Sequence, residues 1–369
     1  MTTPDRRIRS AAFAVGALLL GQSTLPPVLT AQGVDPAVLA RVDSAARVSL
    51  PALQAMVVMR AGRVVWERYW GGTDSSTAFN AKSVSKSVLS ALVGIAIRDG
   101  KLALDQRVSS LLPEYFPQAH PPRNRMFRPA VLRNDSVRAA ITIRHLLTQA
   151  SGYSWDEGGP ILSNFLVSSD PVRLVAEQAL SALPGTAFNY STGNTHLLAA
   201  ALTRAVGTPL QRYAVEALLA PAGMPLLGWD VDGAGQPVGG SEMYFTARSL
   251  ARFGQLMLEQ GRSGARQVVP ADWVRASWEK RMDVPSPIYR EMIPGLTGYG
   301  YLWWLRTSHG HVMNSALGYG GQFVLVVPEL DMVVAGASAL DARNPGLIPQ
   351  FQGVFGLVDQ LVASVGGDR

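Results

Sequence analysis

Between Phe79 and Gly100 the chain reads FNAKSVSKSVLSALVGIAIRDG, and from Val84 to Ile97 this stretch is apolar on nearly every face. A helix with no side to give to water belongs inside a core, so the rest of the chain has to be built around it. Ser83 and Lys86 stand one helical turn apart at its start, on one face. Burial lowers the pKa of a lysine, and a neutral amine beside a serine can take the hydroxyl proton. The helix N-terminus adds oriented N–H donors where an oxyanion would form. Ser83 is therefore a candidate nucleophile and Lys86 its candidate base. The competing reading is a core helix whose lysine extends its ammonium to the surface. A second Ser-x-x-Lys, Ser277 and Lys280 in PADWVRASWEKRM, lies in a segment of mixed polarity that reads as a surface helix, and it is set aside. The chain has few lysines, Lys82, Lys86, Lys101 and Lys280, so Lys86 does not come from a lysine-rich background.

Residues 1–31 read as an export signal. Arg6, Arg7 and Arg9 precede an apolar run from Ala11 to Gly21 that is too short to span a bilayer. The expected product is an exported, periplasmic or secreted protein without a stable membrane anchor after cleavage. The chain contains no cysteine, which removes disulfides, thiolate metal sites and a cysteine nucleophile. The net charge of +6 is mild for 369 residues, and no basic run is interleaved with aromatics, so nucleic acid is not an expected partner.

Residues 35–50 read as a helix capped by Asp35, with Pro36 in its first turn. Leu53 to Met59 and Val64 to Trp70 form a hairpin across Arg60-Ala61-Gly62-Arg63. The centre of the chain carries mostly helical signal with long loops, including 113–140. Thr246 caps an amphipathic helix, TARSLARFGQLMLEQG. Short β-like runs follow at Gly298 to Leu305, His311 to Leu317, Gln322 to Val327 and Met332 to Ala337, and a helix near 349–364 closes the chain. Strands at both ends with helices between predict an α/β (α+β) fold. Its antiparallel sheet is drawn from both termini (about 32–86 and 246–369) and flanked by helices, with a mostly helical lobe (about 87–245) inserted.

Two further motifs bear on chemistry. In PGTAFNYSTGNTHLL, Tyr190 follows a Pro-Gly turn and precedes a helix expected to begin near Asn194, a position from which a phenol can enter a cleft and relay protons. Packing of its ring under the loop is the alternative. In SALGYGGQFVLVVPELD, Gly318, Gly320 and Gly321 allow close approach of backbone to a ligand or, equally, a glycine hairpin turn.

Taken in order, these segments resemble the serine β-lactamase and penicillin-binding-protein-like superfamily in its class C branch. That branch includes exported esterases, D-amino-acid peptidases and 6-aminohexanoate-oligomer hydrolases. The similarity runs over nearly all of the mature chain, through VVWERYW, SVSK, ITIRHLLTQASGY, PGTAFNYST, YFTARSLARFGQLM and GYGGQFVLVVPELD. The resemblance implies Ser83 as the acylated residue, Lys86 as base and Tyr190 as proton-transfer partner, with an oxyanion hole from the backbone N–H groups of Ser83 and Gly321 and no cofactor. Two departures matter. Gly318-Tyr319-Gly320 replaces a Lys-Thr-Gly, removing a cation that holds a β-lactam or peptide carboxylate, and Tyr190-Ser191-Thr192 replaces Tyr-x-Asn. Thr192, Gly318, Tyr319, Gly320, Tyr153 and Asp156 are the expected substrate-binding residues, with Trp155 and Glu157 also able to line the cleft.

His145, in the ITIRHLLT segment, takes a structural place. His309 and His311 lack a nearby third ligand, and Asp230, Asp232 and Gly233 read as a solvated turn. The expectation is an exported, metal-free serine hydrolase acting on a small ester, amide or short peptide-like substrate. Its rivals are a β-lactamase or D-alanyl peptidase and, in another class, a catalytically silent cell-wall or protein-binding member.

Overall fold

The computed structural model describes residues 33–116 and 135–366; the expected export signal and most of the segment 113–140, expected as a loop, lie outside them. Helix α1, Pro36–Ser49, opens with the Asp35 carboxylate accepting from Ala37 N. Strands β1, Leu53–Arg60, and β2, Arg63–Tyr69, form the expected hairpin. Helix α2, Val84–Arg98, is the buried helix, and α3 is Thr192–Val206. Helix α4, Ala247–Leu258, starts at Thr246, whose side chain accepts from Ser249 N. Strands β3, Leu296–Tyr299, β4, Trp304–Ser308, β5, His311–Gly318, β6, Gln322–Val327, and β7, Met332–Ser338, follow, and α5, Leu347–Gly366, ends the described chain.

Where the sequence suggests one strand over Gly298 to Leu305, the chain instead turns back on itself between β3 and β4. Gly300 N bonds to Trp303 O, and Leu302 takes a left-handed φ of +62°. The turn seats Trp303 in the core, stacked on Phe253.

The seven strands make one antiparallel sheet in the order β2-β1-β7-β6-β5-β4-β3. The two chain ends meet where β1 pairs with β7, Met56 opposite Gly336 and Val58 opposite Val334. Residues paired directly across strands share a face, and neighbours along a strand do not. Val324 and Val333 therefore lie on one face, where they contact Gly254 of α4, while Met313 and Arg306 lie on the other, where Arg306 reaches Asp359 of α5 at 3.1 Å. With a helix on each side, β6 and β7 are buried at every position, which is why they read as continuous rather than alternating apolar runs.

A smaller sheet positions the site. Phe79–Asn80 pairs with Met243–Phe245, which pairs in turn with Gly228–Trp229. Ala81 N extends the first pairing by donating to Met243 O at 2.8 Å, so residues 240–242 are brought alongside 81–83.

Candidate active site

Lys82 has a left-handed φ of +47°, which turns the chain sharply just before α2 and places Ser83 at the N-cap. The Ser83 side chain makes no capping hydrogen bond, and its backbone N–H finds no acceptor among the described residues. Its hydroxyl oxygen lies 3.0 Å from Lys86 Nζ, which also lies 3.0 Å from Thr192 Oγ1 and 2.8 Å from the Gly240 carbonyl oxygen. Lys86 does not reach for the surface: it is 1% exposed.

Those contacts fix the direction of each proton. The Gly240 carbonyl can only accept. Thr192 donates its hydroxyl proton to Glu157 Oε1, so it too accepts from Lys86. A neutral amine keeps two hydrogens and one lone pair, and of its three partners only the Ser83 hydroxyl can donate to that lone pair. Burial pulls the Lys86 pKa down to about 8, against the smaller opposing pull of the Glu157 and Glu242 carboxylates. The neutral amine is thus accessible near neutral pH.

Tyr190 is buried at the cleft wall. Its ring stacks on Trp304 at 5.2 Å and meets Tyr289 at 5.8 Å, and Lys86 Nζ lies 5.1 Å from its centroid. Burial pushes the phenol pKa well above its ordinary value, with the nearby Tyr299 and Glu157 adding to the rise and a hydrogen bond with Ser83 opposing it. The phenol therefore keeps its proton. Helix α3 begins two residues before the expected Asn194, because the Ser191 side chain accepts from Asn194 N at 3.0 Å. That start puts Thr192 in the first turn, facing Lys86.

Glu157 is held by Trp155 Nε1 at 2.6 Å and by Thr192 N at 2.9 Å. It lines the cleft, as the sequence allows, whereas Asp156, also expected there, is exposed and accepts from Gly158 N in its own turn. Tyr153 is also misplaced by the sequence reading: it is 1% exposed, donates to Ala176 O and packs in the core, not in the cleft. Adjacent residues on an irregular loop point in different directions, and sequence carries no period there to separate them.

The third motif closes the opposite wall. A side chain at Gly318 would stand 3.0 Å from Ser83 N and 2.4 Å from Ala81 O, so glycine is what lets the end of β5 approach the nucleophile turn. Gly318 and Tyr319 line the cleft, but Gly320 and Gly321 do not. The Gly320 carbonyl is held by Asn344 Nδ2 at 2.7 Å. The Gly321 N–H, the expected second oxyanion donor, closes the turn onto Gly318 O at 3.2 Å. The Tyr319 and Gly320 amides have no acceptor among the described residues, and of the two residues Tyr319 is the one that lines the cleft. A two-residue difference in position along the turn separates Tyr319 from the expected Gly321.

The cleft has a volume of about 340 Å³. Leu162, Leu166, Met292, Leu317, Leu347 and Phe351 form an apolar side, while Lys82, Ser241 and Glu242 join Ser83 on the polar side. Sequence reasoning missed the Lys82–Glu242 ion pair, which spans 2.9 Å. The available signal was Lys82 itself, a rare lysine next to the nucleophile. Elsewhere, His145 Nδ1 accepts from Thr142 N as a helix cap, and His311 pairs with Glu329. Asp230 and Gly233 lie in the expected exposed turn, but the Asp232 side chain tucks inward against His196 Nε2 at 2.9 Å.

A nucleophile-ready serine on a core helix, a buried lysine aimed at it and a sheet edge folded over both define a serine hydrolase of the Ser-x-x-Lys type. The β-lactamase family model matches residues 46–352, and the chain belongs to that family. It is 33% identical over 190 residues to esterase EstB of Burkholderia gladioli, a match covering 46% of this chain and 44% of that esterase. It is 26% identical over 311 residues to the 6-aminohexanoate-dimer hydrolase of Paenarthrobacter ureafaciens, covering 80% of this chain and 75% of the relative. Among solved structures, EstCE1, described as a hydrolase with promiscuous acyltransferase activity, superposes with a TM-score of 0.66 at 19% identity, covering 86% of this chain and 98% of its own. At that identity the likeness shows the fold alone.

Proposed function

We propose that the protein is an exported hydrolase of small neutral esters or amides that works through an acyl-enzyme on Ser83. The observation that carries this reading is the Lys86 amine, buried and 3.0 Å from Ser83 Oγ with partners that leave only the serine free to donate to it. Lys86 takes the Ser83 proton as the hydroxyl attacks the substrate carbonyl. The oxyanion is received by the N–H groups of Ser83 and Tyr319 at the positive end of α2. Tyr190, kept protonated by burial, hands a proton to the leaving group and recovers one through Lys86. Water then attacks the acyl-enzyme, with Lys86 again the base.

The apolar side of the cleft favours an aliphatic or aromatic acyl group over a polar one. The names of the two sequence relatives, an esterase and an amide-bond hydrolase, support the same reaction class. The export proposal rests on the arginines and apolar run of residues 1–31.

The test is hydrolysis of p-nitrophenyl butyrate and of nitrocefin by the mature protein and by Ser83→Ala. Ester turnover that disappears in the variant, with little nitrocefin cleavage, is expected. Strong nitrocefin turnover would favour the β-lactamase reading, and equal ester rates in both proteins would remove Ser83 as nucleophile. A folded protein that fails to label with a fluorophosphonate would favour a silent binding member.

A further inference from the structure

The Lys82–Glu242 pair sits in the cleft wall beside the nucleophile, yet the mechanism above gives it nothing to do. Both residues have left-handed backbones, φ +47° at Lys82 and +65° at Glu242, a conformation that costs a residue with a Cβ about 1 kcal/mol. Neighbours hold both in place. Lys82 N donates to Asn80 Oδ1 at 2.9 Å, and Asn80 Nδ2 donates to Glu242 Oε2. Lys82 Nζ reaches both carboxylate oxygens, at 2.9 and 3.2 Å. The side chains are 23% and 21% exposed, enough shelter for the charges to matter and enough opening for a ligand to meet them.

Lys82 is the cation among the described residues that line the cleft, and the carboxylates lining it are Glu157 and Glu242. Glu157 is already occupied by Thr192 and Trp155. The third motif, with Gly318-Tyr319-Gly320, offers an incoming carboxylate no cation. Lys82 could take its place, but Glu242 already holds the ammonium, and a second carboxylate arriving there meets a neutral pair.

We propose that Glu242 is the specificity-determining residue that sets the charge preference of this cleft: by occupying Lys82 it withholds the cation beside the nucleophile and turns away carboxylate-bearing substrates in favour of neutral ones. The inference deepens the reading of the protein as a hydrolase of neutral esters or amides, but its test does not depend on turnover.

The experiment measures equilibrium binding of phenylacetate and of phenylacetamide, matched in shape and differing in charge, by quenching of tryptophan fluorescence, since Trp304 lines the cleft. Glu242→Gln frees Lys82 and is expected to tighten phenylacetate relative to phenylacetamide by about tenfold, the size of one charge-assisted hydrogen bond. Lys82→Met leaves Glu242 uncompensated and is expected to move the same ratio about tenfold the other way. The double variant Lys82→Met/Glu242→Gln should return the ratio to within about threefold of the wild type, which separates release of the cation from simple loss of a negative charge. Equal changes for both probes in Glu242→Gln, no binding of phenylacetate to that variant, or a gain that survives in the double variant would each overturn the proposal. If Glu242→Gln does not fold, Lys82→Met alone decides, and an unchanged ratio there overturns it. Because the readout is binding, a failure leaves Ser83 untouched as nucleophile, and a Ser83 that proves inert leaves the charge preference standing.

Discussion

The chain contains the pattern Ser-x-x-Lys twice, and the two copies have little in common once folded. Ser83 caps the start of a long core helix and Lys86 lies inside the first turn, 1% exposed. Ser277 ends a short helix, Ala271–Ser277, and Lys280 falls beyond it. Ser277 is buried as well, but its hydroxyl donates to Trp273 O at 2.8 Å, and Lys280 points outward to Asp283, 51% exposed. At the start of a helix the motif meets free N–H groups and a positive potential, and at its end it meets carbonyls and a negative one. What matters is thus not the spacing but the end of the helix on which it falls and whether the lysine is kept from water.

The largest expected difference between the copies is in activity. Ser83→Ala and Lys86→Met should each lower ester kcat/KM by about a thousandfold or more, while Ser277→Ala should stay within about twofold of the wild type in the same steady-state assay. Comparable losses in the Ser277 variant would break the distinction.

Next in size is the energetic mark of burial. The folded Lys86 pKa of about 8 lies below the ordinary 10.5, so between those values the unfolded chain holds a proton that the native protein has released. Stability therefore rises with pH across that window, and the contribution is lost again as pH falls through 8. The stability difference between the wild type and Lys86→Met should shift toward the wild type by about 3 kcal/mol from pH 7 to pH 10.5, read from urea unfolding at the two pH values. A flat difference would mean that Lys86 is not isolated from water.

A smaller effect sharpens the electrostatic account. The Glu157 carboxylate raises the Lys86 pKa against the pull of burial, so Glu157→Gln should lower it. The rising limb of kcat/KM, expected near pH 8 in the wild type, should move to lower pH in that variant. Movement to higher pH would contradict the arrangement in which Glu157 orients Thr192 toward the lysine.

The smallest effect belongs to the outer copy. Lys280→Ala removes an exposed ion pair and should change stability by no more than about 0.5 kcal/mol by thermal melting.

The same contrast separates what was legible in the sequence from what was not. The buried helix, its Ser83–Lys86 face, the hairpin of β1 and β2 and the paired strands after Gln322 follow from periodicity and local turn chemistry. Each depends on residues a few positions apart. Tyr190 was placed beside Ser83 by resemblance, since nothing in its own loop aims it there. The loop of 153–157 was legible only in part: Glu157 lines the site, as the sequence allows, but Tyr153 lies in the core and Asp156 in solvent. The turn of 318–321 differs from the expectation by two residues, giving the cleft-edge amide to Tyr319 rather than Gly321.

The sequence by itself determined that a core helix begins with a serine and a lysine on one face, because helical geometry sets which residues meet one turn apart. Only the tertiary structure decided which carboxylate, which amide and which second cation join them. The carboxylates and the amide arrive from segments tens to hundreds of residues away, where no repeat ties sequence position to direction, and Lys82, though next to Ser83, takes its role from the distant Glu242. The Lys82–Glu242 contact, made possible by pairing of Phe79–Asn80 with Met243–Phe245, exists because two distant strands align, and no local pattern encodes that alignment.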